Sequence, residues 1–166
     1  MILNQIIQHV HRKYSREFKA FDADRFTLSR KRPIHDPIPA LNNHFFLITE
    51  IKRASPSAGI IQNDIDPVQI AQSYWNAGAS AISVLTESAH FNGSEADLQA
   101  VGNQIHLPLL RKDFIIHPFQ IYDSYNLGAD MILLIAACLS GSQLECLYQT
   151  IRRLGMQAII EVHTRE

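Results

Sequence analysis

The chain has 166 residues, of which 46% are hydrophobic and 19% are charged. This composition is typical of a folded globular protein and excludes an intrinsically disordered chain. The 15 lysines and arginines nearly balance the 16 aspartates and glutamates, so the formal net charge is −1. A chain of this charge has no overall positive field, and we therefore expect no nucleic-acid partner.

Several features predict a cytoplasmic protein without a membrane partner. The longest wholly apolar run, residues 131–139, is far shorter than the ~20 residues of a membrane-spanning helix. The N-terminus shows no apolar segment that ends in a cleavage site of small residues. Cys138 and Cys146 form no CxxC pair, which indicates two buried thiols in a reducing compartment.

Residues 1–44 are predicted to form an N-terminal helix and a proline-containing loop. Residues 22–44 contain three prolines, which should interrupt any regular element. The basic run 30–32 is expected to be a solvated loop, with a phosphate or nucleic-acid contact as the alternative. The helix is predicted from apolar residues spaced by three and four positions, namely Leu3, Ile7, Val10, Tyr14 and Phe18.

From residue 45 onward, predicted strands alternate with predicted helices, as in a chain of βα units. The strands are near-continuous apolar runs, which is typical of parallel strands buried on both faces. Asp66 with Pro67, and Ser94, provide the sequence signals for two helix starts. The predicted strands are residues 45–51, 80–85, 107–111, 131–136 and 157–162, and the predicted helices are about 67–77, 95–101, 118–127 and 141–154.

Polar residues gather where the predicted strands end, and this favours a (β/α)8 barrel over a doubly wound sheet. A barrel draws its site from the carboxyl ends of many strands, whereas a doubly wound sheet binds at one switch point, usually beside a Gly-rich turn. The sequence contains neither GxGxxG nor GxxxxGK[ST]. A complete barrel has eight strands in ~250 residues, so we predict a partial (β/α)8 TIM barrel, strands 1–5, over residues 45–166.

Four charged residues at these strand ends are the candidate catalytic groups. We expect them to meet at one edge of the curved sheet, where burial and neighbouring charges separate pKa values and allow both an acid and a base. The alternative for the first two is a structural ion pair. The four residues are Glu50, Lys52, Lys112 and Glu161.

Loop residues near these strand ends are candidates for ligand binding. Phe91 and Phe114 follow the second and third strands, where they are either core plugs or walls for an aromatic ligand. Ser55 and Pro56 lie in a Ser/Pro/Gly loop, which is either a simple turn or a cover for the cleft. The histidines form no HxxxH pair, so we expect no metal site.

Four motifs, in this order along the chain, resemble the indole-3-glycerol phosphate synthases of tryptophan biosynthesis. They are EIKRASPSAGII, SVLTESAHFNGSEADL, LPLLRKDFIIHPFQIYDSYNLGADMILLIAA and LGMQAIIEVH. The resemblance covers residues 45 to 163 and implies a (β/α)8 barrel that acts as a carboxy-lyase. The implied reaction converts 1-(2-carboxyphenylamino)-1-deoxyribulose 5-phosphate to indole-3-glycerol phosphate, with loss of carbon dioxide and water and without metal or organic cofactor.

The resemblance also implies a role for each candidate residue. Lys112 would be the general acid, Glu161 the opposing acid or base, and Lys52 the cation that holds anionic parts of the substrate. Glu50 would orient Lys52, and Ser55 would lie in the mobile first loop. The pocket for the anthranilate ring would be lined by Pro56, Phe91, Phe114 and Leu133.

Two departures from the family pattern have different consequences. His117 stands where the family usually has Asp at a helix cap, so its effect should be local. The family's last three βα units bring an Asn and Arg pair and the phosphate-binding backbone, and these have no counterpart in this sequence. We therefore expect this chain to be inactive alone and to self-associate through open sheet edges.

Two other functions stay open on the sequence alone. One is another sugar-phosphate TIM-barrel isomerase or a Schiff-base aldolase, for which Lys112 would form an imine. The other is a non-catalytic half-barrel.

Overall fold

The computed structural model describes residues 2–41 and 45–163. The strands are β1 (Ile48–Ile51), β2 (Ala54–Ser55), β3 (Gly59–Ile60), β4 (Ala81–Leu85), β5 (Leu109–Lys112), β6 (Met131–Ile135) and β7 (Gln157–Glu161). The helices are α1 (Ile2–Lys13), α2 (Ser15–Ala20), α3 (Ile38–Leu41), α4 (Pro67–Asn76), α5 (Ser88–Phe91), α6 (Glu95–Gln104), α7 (Pro118–Leu127) and α8 (Gly141–Arg153). A 3-10 turn spans Ala136–Cys138.

Five parallel strands form one sheet in the order β1-β4-β5-β6-β7, so consecutive strands of the βα repeat are neighbours. The predicted α/β class and the five-strand portion of a TIM barrel are confirmed. The connecting helices begin at side-chain caps, as at Asp66, which accepts hydrogen bonds from Val68 N and Gln69 N. None of the helices described here is long and apolar enough to cross a bilayer.

The three central strands, β4, β5 and β6, are buried on both faces, which explains their near-continuous apolar sequences. One set of alternating side chains, including Ile82 and Val84, packs against the helices. The opposite set, including Leu110 and Leu133, forms a separate inner cluster. Parallel pairing aligns the carboxyl ends of the strands at one edge of the molecule.

The N-terminal segment differs from its predicted form in two places. The predicted single helix is divided at Tyr14, although Val10 and Tyr14 are buried and pack with Ile116 as the apolar stripe requires. The expectation that prolines exclude regular structure is wrong at α3. Pro39 lies in the first turn of that short helix, where a missing N–H costs no helical hydrogen bond.

The basic run at 30–32 is not a solvated loop, so that expectation is wrong. The side chains of Arg30 and Arg32 are only 3% and 10% exposed, and both pair with the fully buried Asp130. The N–O distances are 2.5 Å from Arg30 Nη2 and 3.1 Å from Arg32 Nη1. Asp130 Oδ2 also accepts a hydrogen bond from Leu109 N, so these pairs hold the N-terminal segment against the sheet.

The first predicted strand is shorter and more exposed than expected. It spans Ile48–Ile51, and the Phe45 residue that precedes it is 73% exposed. Within the described residues β1 pairs only with β4, so one of its edges is uncovered. The predicted division of the chain after residue 44 lies outside the described residues and stays a prediction.

Candidate active site

A cleft of about 450 Å³ opens where the sheet strands end. Its lining comes from all five sheet strands or the residues just after them, with one further residue each from α1 and α5. Seven of the nine sequence-predicted site residues line it, namely Glu50, Lys52, Phe91, Lys112, Phe114, Leu133 and Glu161.

The four charged residues form two ion pairs in this cleft. Lys52 Nζ lies 2.8 Å from Glu50 Oε1, and Lys112 Nζ lies 3.3 Å from Glu161 Oε2. Each of the four side chains is about one-third exposed, so solvent or a ligand can reach them. Glu50 and Lys52 therefore form an ion pair, as the structural alternative predicted, and they also face the cleft.

Strand geometry explains why these charges point inward. Lys112 and Glu161 are the last residues of β5 and β7, and they pair in register with Leu85 and Ile135. Side chains alternate across a strand, so Lys112 faces the cleft while the preceding Arg111 faces the helices. Beside these charged groups, the apolar side chains of Leu85, Leu133 and Ile135 also line the cleft.

Two aromatic rings line the cleft beside the charges. The centroids of Phe91 and Phe114 are 6.1 Å apart, and the ring planes are inclined by 37°. Phe91 ends α5, a short helix that the sequence did not predict. Glu87 caps α5 by accepting hydrogen bonds from the N–H groups of Ala89, His90 and Phe91. The cap fixes the backbone that carries the Phe91 ring.

Ser55 and Pro56 are not brought into the cleft. Ser55 Oγ accepts a hydrogen bond from Ala58 N at 3.1 Å, within the tight turn that joins β2 to β3. This hairpin was predicted only as a loop. The binding roles of Ser55 and Pro56 therefore stay predictions.

Sequence reasoning missed several residues that line the cleft. Leu85 and Ile135 are the last residues of their strands, so strand alternation could have revealed them. Leu3 lies on α1, far away in sequence, and no local pattern indicates its position. His163, just beyond β7, also lines the cleft, with its Nε2 atom 3.0 Å from Glu161 Oε1.

A buried charge network lies behind the cleft, on the helix side of β5. Arg111 is fully buried and contacts the carboxylates of Glu95, Asp113 and Asp123. Burial alone would lower the pKa of Arg111, but Asp113 and Asp123 outweigh it and raise the pKa. Burial also raises the pKa of Tyr14, a neighbour of Arg111, to about 12.

Burial opposes ionisation of Glu95, yet the Arg111 guanidinium, together with hydrogen bonds from Tyr14 and Lys13, lowers the Glu95 pKa. Asp113 also accepts hydrogen bonds from the Thr86 hydroxyl and from Phe114 N. The network therefore fixes the backbone on both sides of Lys112.

Cys138 offers no activated thiol. Burial and the Glu161 carboxylate both raise the pKa of the half-buried Cys138, which favours its protonated form. Cys146 is exposed on α8, so the expectation of two buried thiols is wrong for this residue. Within residues 2–41 and 45–163, no group of three or more His, Cys, Asp or Glu is arranged to hold a metal ion.

Comparisons with known proteins agree on one family. The family model described as indole-3-glycerol phosphate synthase matches residues 1–166. Proteins of that name from Geobacillus thermodenitrificans and Dehalococcoides mccartyi are 47% and 55% identical to the chain. These alignments cover 82% and 72% of this chain, and 53% and 47% of those relatives.

A third relative of that name, from Mycolicibacterium vanbaalenii, is 43% identical over 99% of this chain and 62% of its own length. The chain thus spans about half the length of the curated relatives it matches. The chain belongs to the indole-3-glycerol phosphate synthase family.

Proposed function

We propose that this chain supplies the acid–base part of an indole-3-glycerol phosphate synthase site. The reaction is ring closure and decarboxylation of 1-(2-carboxyphenylamino)-1-deoxyribulose 5-phosphate. The observation that carries this proposal is the Lys112–Glu161 pair, 3.3 Å apart, beside the two phenylalanine rings. An ammonium donor, a carboxylate and an aromatic wall are the groups that this ring closure requires.

Each ion pair has a separate role in the proposed reaction. Lys112 protonates the substrate carbonyl and assists the departure of water, while the neighbouring Glu161 is the second acid or base of the site. Lys52 holds an anionic part of the substrate, and Glu50 orients Lys52 through their 2.8 Å contact. Positioned acid–base groups of this kind typically contribute ~10²–10⁴-fold to a rate.

The aromatic ring of the substrate occupies the apolar side of the cleft. Phe91 and Phe114 form its wall, and Leu133, which is 4% exposed, forms its floor. Such ring contacts contribute about 0.5–1.5 kcal/mol beyond the burial of area. Ser55 and Pro56 belong to the hairpin that covers the substrate once it is bound.

The charges in the cleft bear on whether residues 1–166 act alone. Among the lining residues, Glu50 and Glu161 each pair with one of the two lysines, and Asp113 pairs with the buried Arg111 behind the cleft. A substrate that carries both a carboxylate and a phosphate therefore meets no excess of positive charge here. We propose that this chain binds the aromatic part of the substrate but does not turn it over alone.

Location and self-association are further parts of the proposal. The free thiols of Cys138 and Cys146 are compatible with the reducing cytoplasm. Within residues 2–41 and 45–163, β1 and β7 each have one edge without a paired strand, and this supports self-association because unpaired edge strands are templates for pairing.

The test uses residues 1–166 and the substrate itself. Anthranilate fluorescence reports binding, and the appearance of indole fluorescence reports turnover. We expect saturable binding without turnover, and a 2- to 10-fold weaker affinity in Phe114→Ala, as the stacking energy implies. Phe26→Ala is the matched control, because Phe26 packs with Phe119 and Tyr122 in an aromatic cluster that does not line the cleft.

Equal affinities of Phe114→Ala and the unmodified chain would contradict the proposed ring site. Rapid turnover by the monodisperse chain would support the reaction but contradict its proposed inactivity alone. A substrate adduct on Lys112 after borohydride reduction would instead favour the Schiff-base aldolase.

A further inference from the structure

Each lysine of the cleft has an arginine next to it in sequence, and both arginines contact the first turn of α6. Arg111, beside Lys112, places Nη2 2.9 Å from Glu95 Oε1. Arg53, beside Lys52, binds both oxygens of Asp97, with Nη2 3.3 Å from Oδ1. One helical turn therefore contacts the two segments that carry the cleft lysines.

The Arg53–Asp97 contact is shielded from solvent and geometrically specific, whereas the Arg111–Glu95 contact joins a buried guanidinium to a carboxylate that is 32% exposed. Arg111 is fully buried, and the side chains of Arg53 and Asp97 are 17% and 13% exposed. A planar guanidinium that binds a carboxylate through two nitrogens has its orientation fixed as well as its distance. Glu95 and Asp97 also lie at the helix N-terminus, where the helix dipole favours negative charge.

Both arginines also form hydrogen bonds with neighbouring segments of the chain. Arg53 donates further hydrogen bonds to the carbonyl oxygens of Asn63 and Ile65, which lie after the β2–β3 hairpin. Arg111 donates from Nε to the Thr86 hydroxyl at 3.1 Å, and Thr86 N donates to the carbonyl oxygen of Lys112. Lys112 is thus connected to α6 through Thr86 and Arg111, and Lys52 is connected to α6 through the adjoining Arg53.

We propose that Glu95 and Asp97 are positioning residues that set the separation of Lys112 and Lys52 through the two arginines. Because both acids lie in one turn of a regular helix, α6 holds the two lysine-bearing segments at a fixed spacing. The inference rests on the proposed function, since a fixed spacing matters when both lysines act on the same substrate.

The experiment observes the lysine side chains directly and requires no turnover. Selective ¹³C labelling of lysine limits the NMR spectrum to the Cε signals of five residues, and single substitutions assign these signals. The five are Lys13, Lys19, Lys31, Lys52 and Lys112. Asp97→Asn is expected to shift the Lys52 signal and leave Lys112 in place. Glu95→Gln is expected to shift the Lys112 signal and to leave the Lys52 signal in place. It should also shift the Lys13 signal, because Lys13 pairs directly with Glu95.

Two further variants make the result decisive. Glu145→Gln removes an exposed carboxylate on α8, where it bonds only locally to Gln149, and should move neither cleft lysine. Arg53→Lys keeps the charge, loses the two-nitrogen contact with Asp97 and adds one new Cε signal of its own. It should shift the Lys52 signal as Asp97→Asn does. Urea unfolding of each variant verifies that it is folded. If Glu95→Gln does not fold, the Lys52 signals of Arg53→Lys and Asp97→Asn still test the inference.

The decisive observation is that Asp97→Asn shifts only the Lys52 signal of the two cleft lysines, whereas Glu95→Gln shifts only the Lys112 signal. Signals that move no more than in Glu145→Gln, or Lys52 and Lys112 signals that move together in every variant, would overturn the inference. Substrate added to the unmodified chain tests the proposed function separately. If substrate shifts neither lysine signal although the selective pattern is present, the proposed function fails while the α6 contacts stand.

Discussion

His117 determines how α7 begins. Its Nδ1 atom accepts a hydrogen bond from Phe119 N at 3.1 Å, and Gln120 Oε1 accepts from His117 N at 3.2 Å. This reciprocal arrangement is a capping box, so the expected local role of His117 is confirmed at the helix cap. Burial, and then the neighbouring His11, lower the pKa of His117, which keeps the accepting nitrogen unprotonated.

We predict that this cap makes stability dependent on pH. Because the folded pKa of His117 is lowered, the unfolded chain binds more protons once the pH falls below about 6.5. The stabilisation is therefore complete above that pH and is lost as the pH falls through the folded pKa. His117→Asp should reduce the slope of unfolding free energy between pH 7 and 5, measured by urea denaturation.

Ser140→Asp is the matched control, because it places a carboxylate at the cap of α8 without removing an imidazole. His35, whose pKa is lowered by burial and by Arg32, should leave a residual slope in both variants. An unchanged slope in His117→Asp would contradict the role of the cap.

Gly93 is required because the loop between α5 and α6 passes close to the backbone at the end of β4 and at the cap of α5. A Cβ atom at this position would lie 2.6 Å from the carbonyl oxygen of Leu85 and 2.7 Å from that of Glu87. We predict that Gly93→Ala lowers the free energy of unfolding by about 1–3 kcal/mol, the usual cost of overpacking. Gly141→Ala is the control, since a Cβ there meets nothing within 4 Å and should be neutral or stabilising. Equal stabilities of the two variants would contradict this account.

At the scale of elements, one carboxylate attaches the N-terminal segment to β6. Asp130→Ala would leave Arg30 and Arg32 buried without their partner, which typically costs about 3–5 kcal/mol. Asp22→Ala removes an exposed pair with Arg25 and should change stability by no more than about 1 kcal/mol. Chemical denaturation compares the two, and a loss in Asp130→Ala as small as that in Asp22→Ala would be inconsistent with a structural role for the pair.

The elements with strong local signals were predictable from sequence. Continuous apolar runs indicated the strands β4, β6 and β7, and Pro67 and Pro118 marked the first residues of two helices. Shorter elements depend on contacts that have no local pattern. Glu87 specifies α5 through three backbone N–H groups, and α3 is a single short turn that contains a proline.

The same distinction applies to the site. The charged residues follow from the rule that barrel sites lie at strand ends, and the structure brings Lys112 and Glu161 together there. Leu3 enters the cleft only because α1 packs across the barrel, which is a tertiary contact. The burial of Arg30 was likewise hidden, since its partner Asp130 is 100 residues away.

At the scale of the whole molecule, the uncovered sheet edges predict self-association of residues 1–166. Ile160 on β7 is 44% exposed, and Val162 just beyond it is 64% exposed. Ile160→Lys should shift the chain towards the monomer in sedimentation experiments, because a charged edge disfavours strand pairing. Leu28→Lys alters an equally exposed residue outside the sheet and should have no such effect. An unmodified chain that sediments as a monomer at all concentrations would rule out this association.

The contact between Arg30 and Asp130 also has a consequence for synthesis on the ribosome. The arginine is made early, and its carboxylate partner follows 100 residues later. Translation must therefore pass β6 before this contact can form, and contacts between residues so far apart in sequence form slowly. We expect docking of the leading segment to be a late step in folding, and we expect the Phe18, Phe21 and Phe26 rings, which pack against Phe119 in the folded chain, to stay exposed until then.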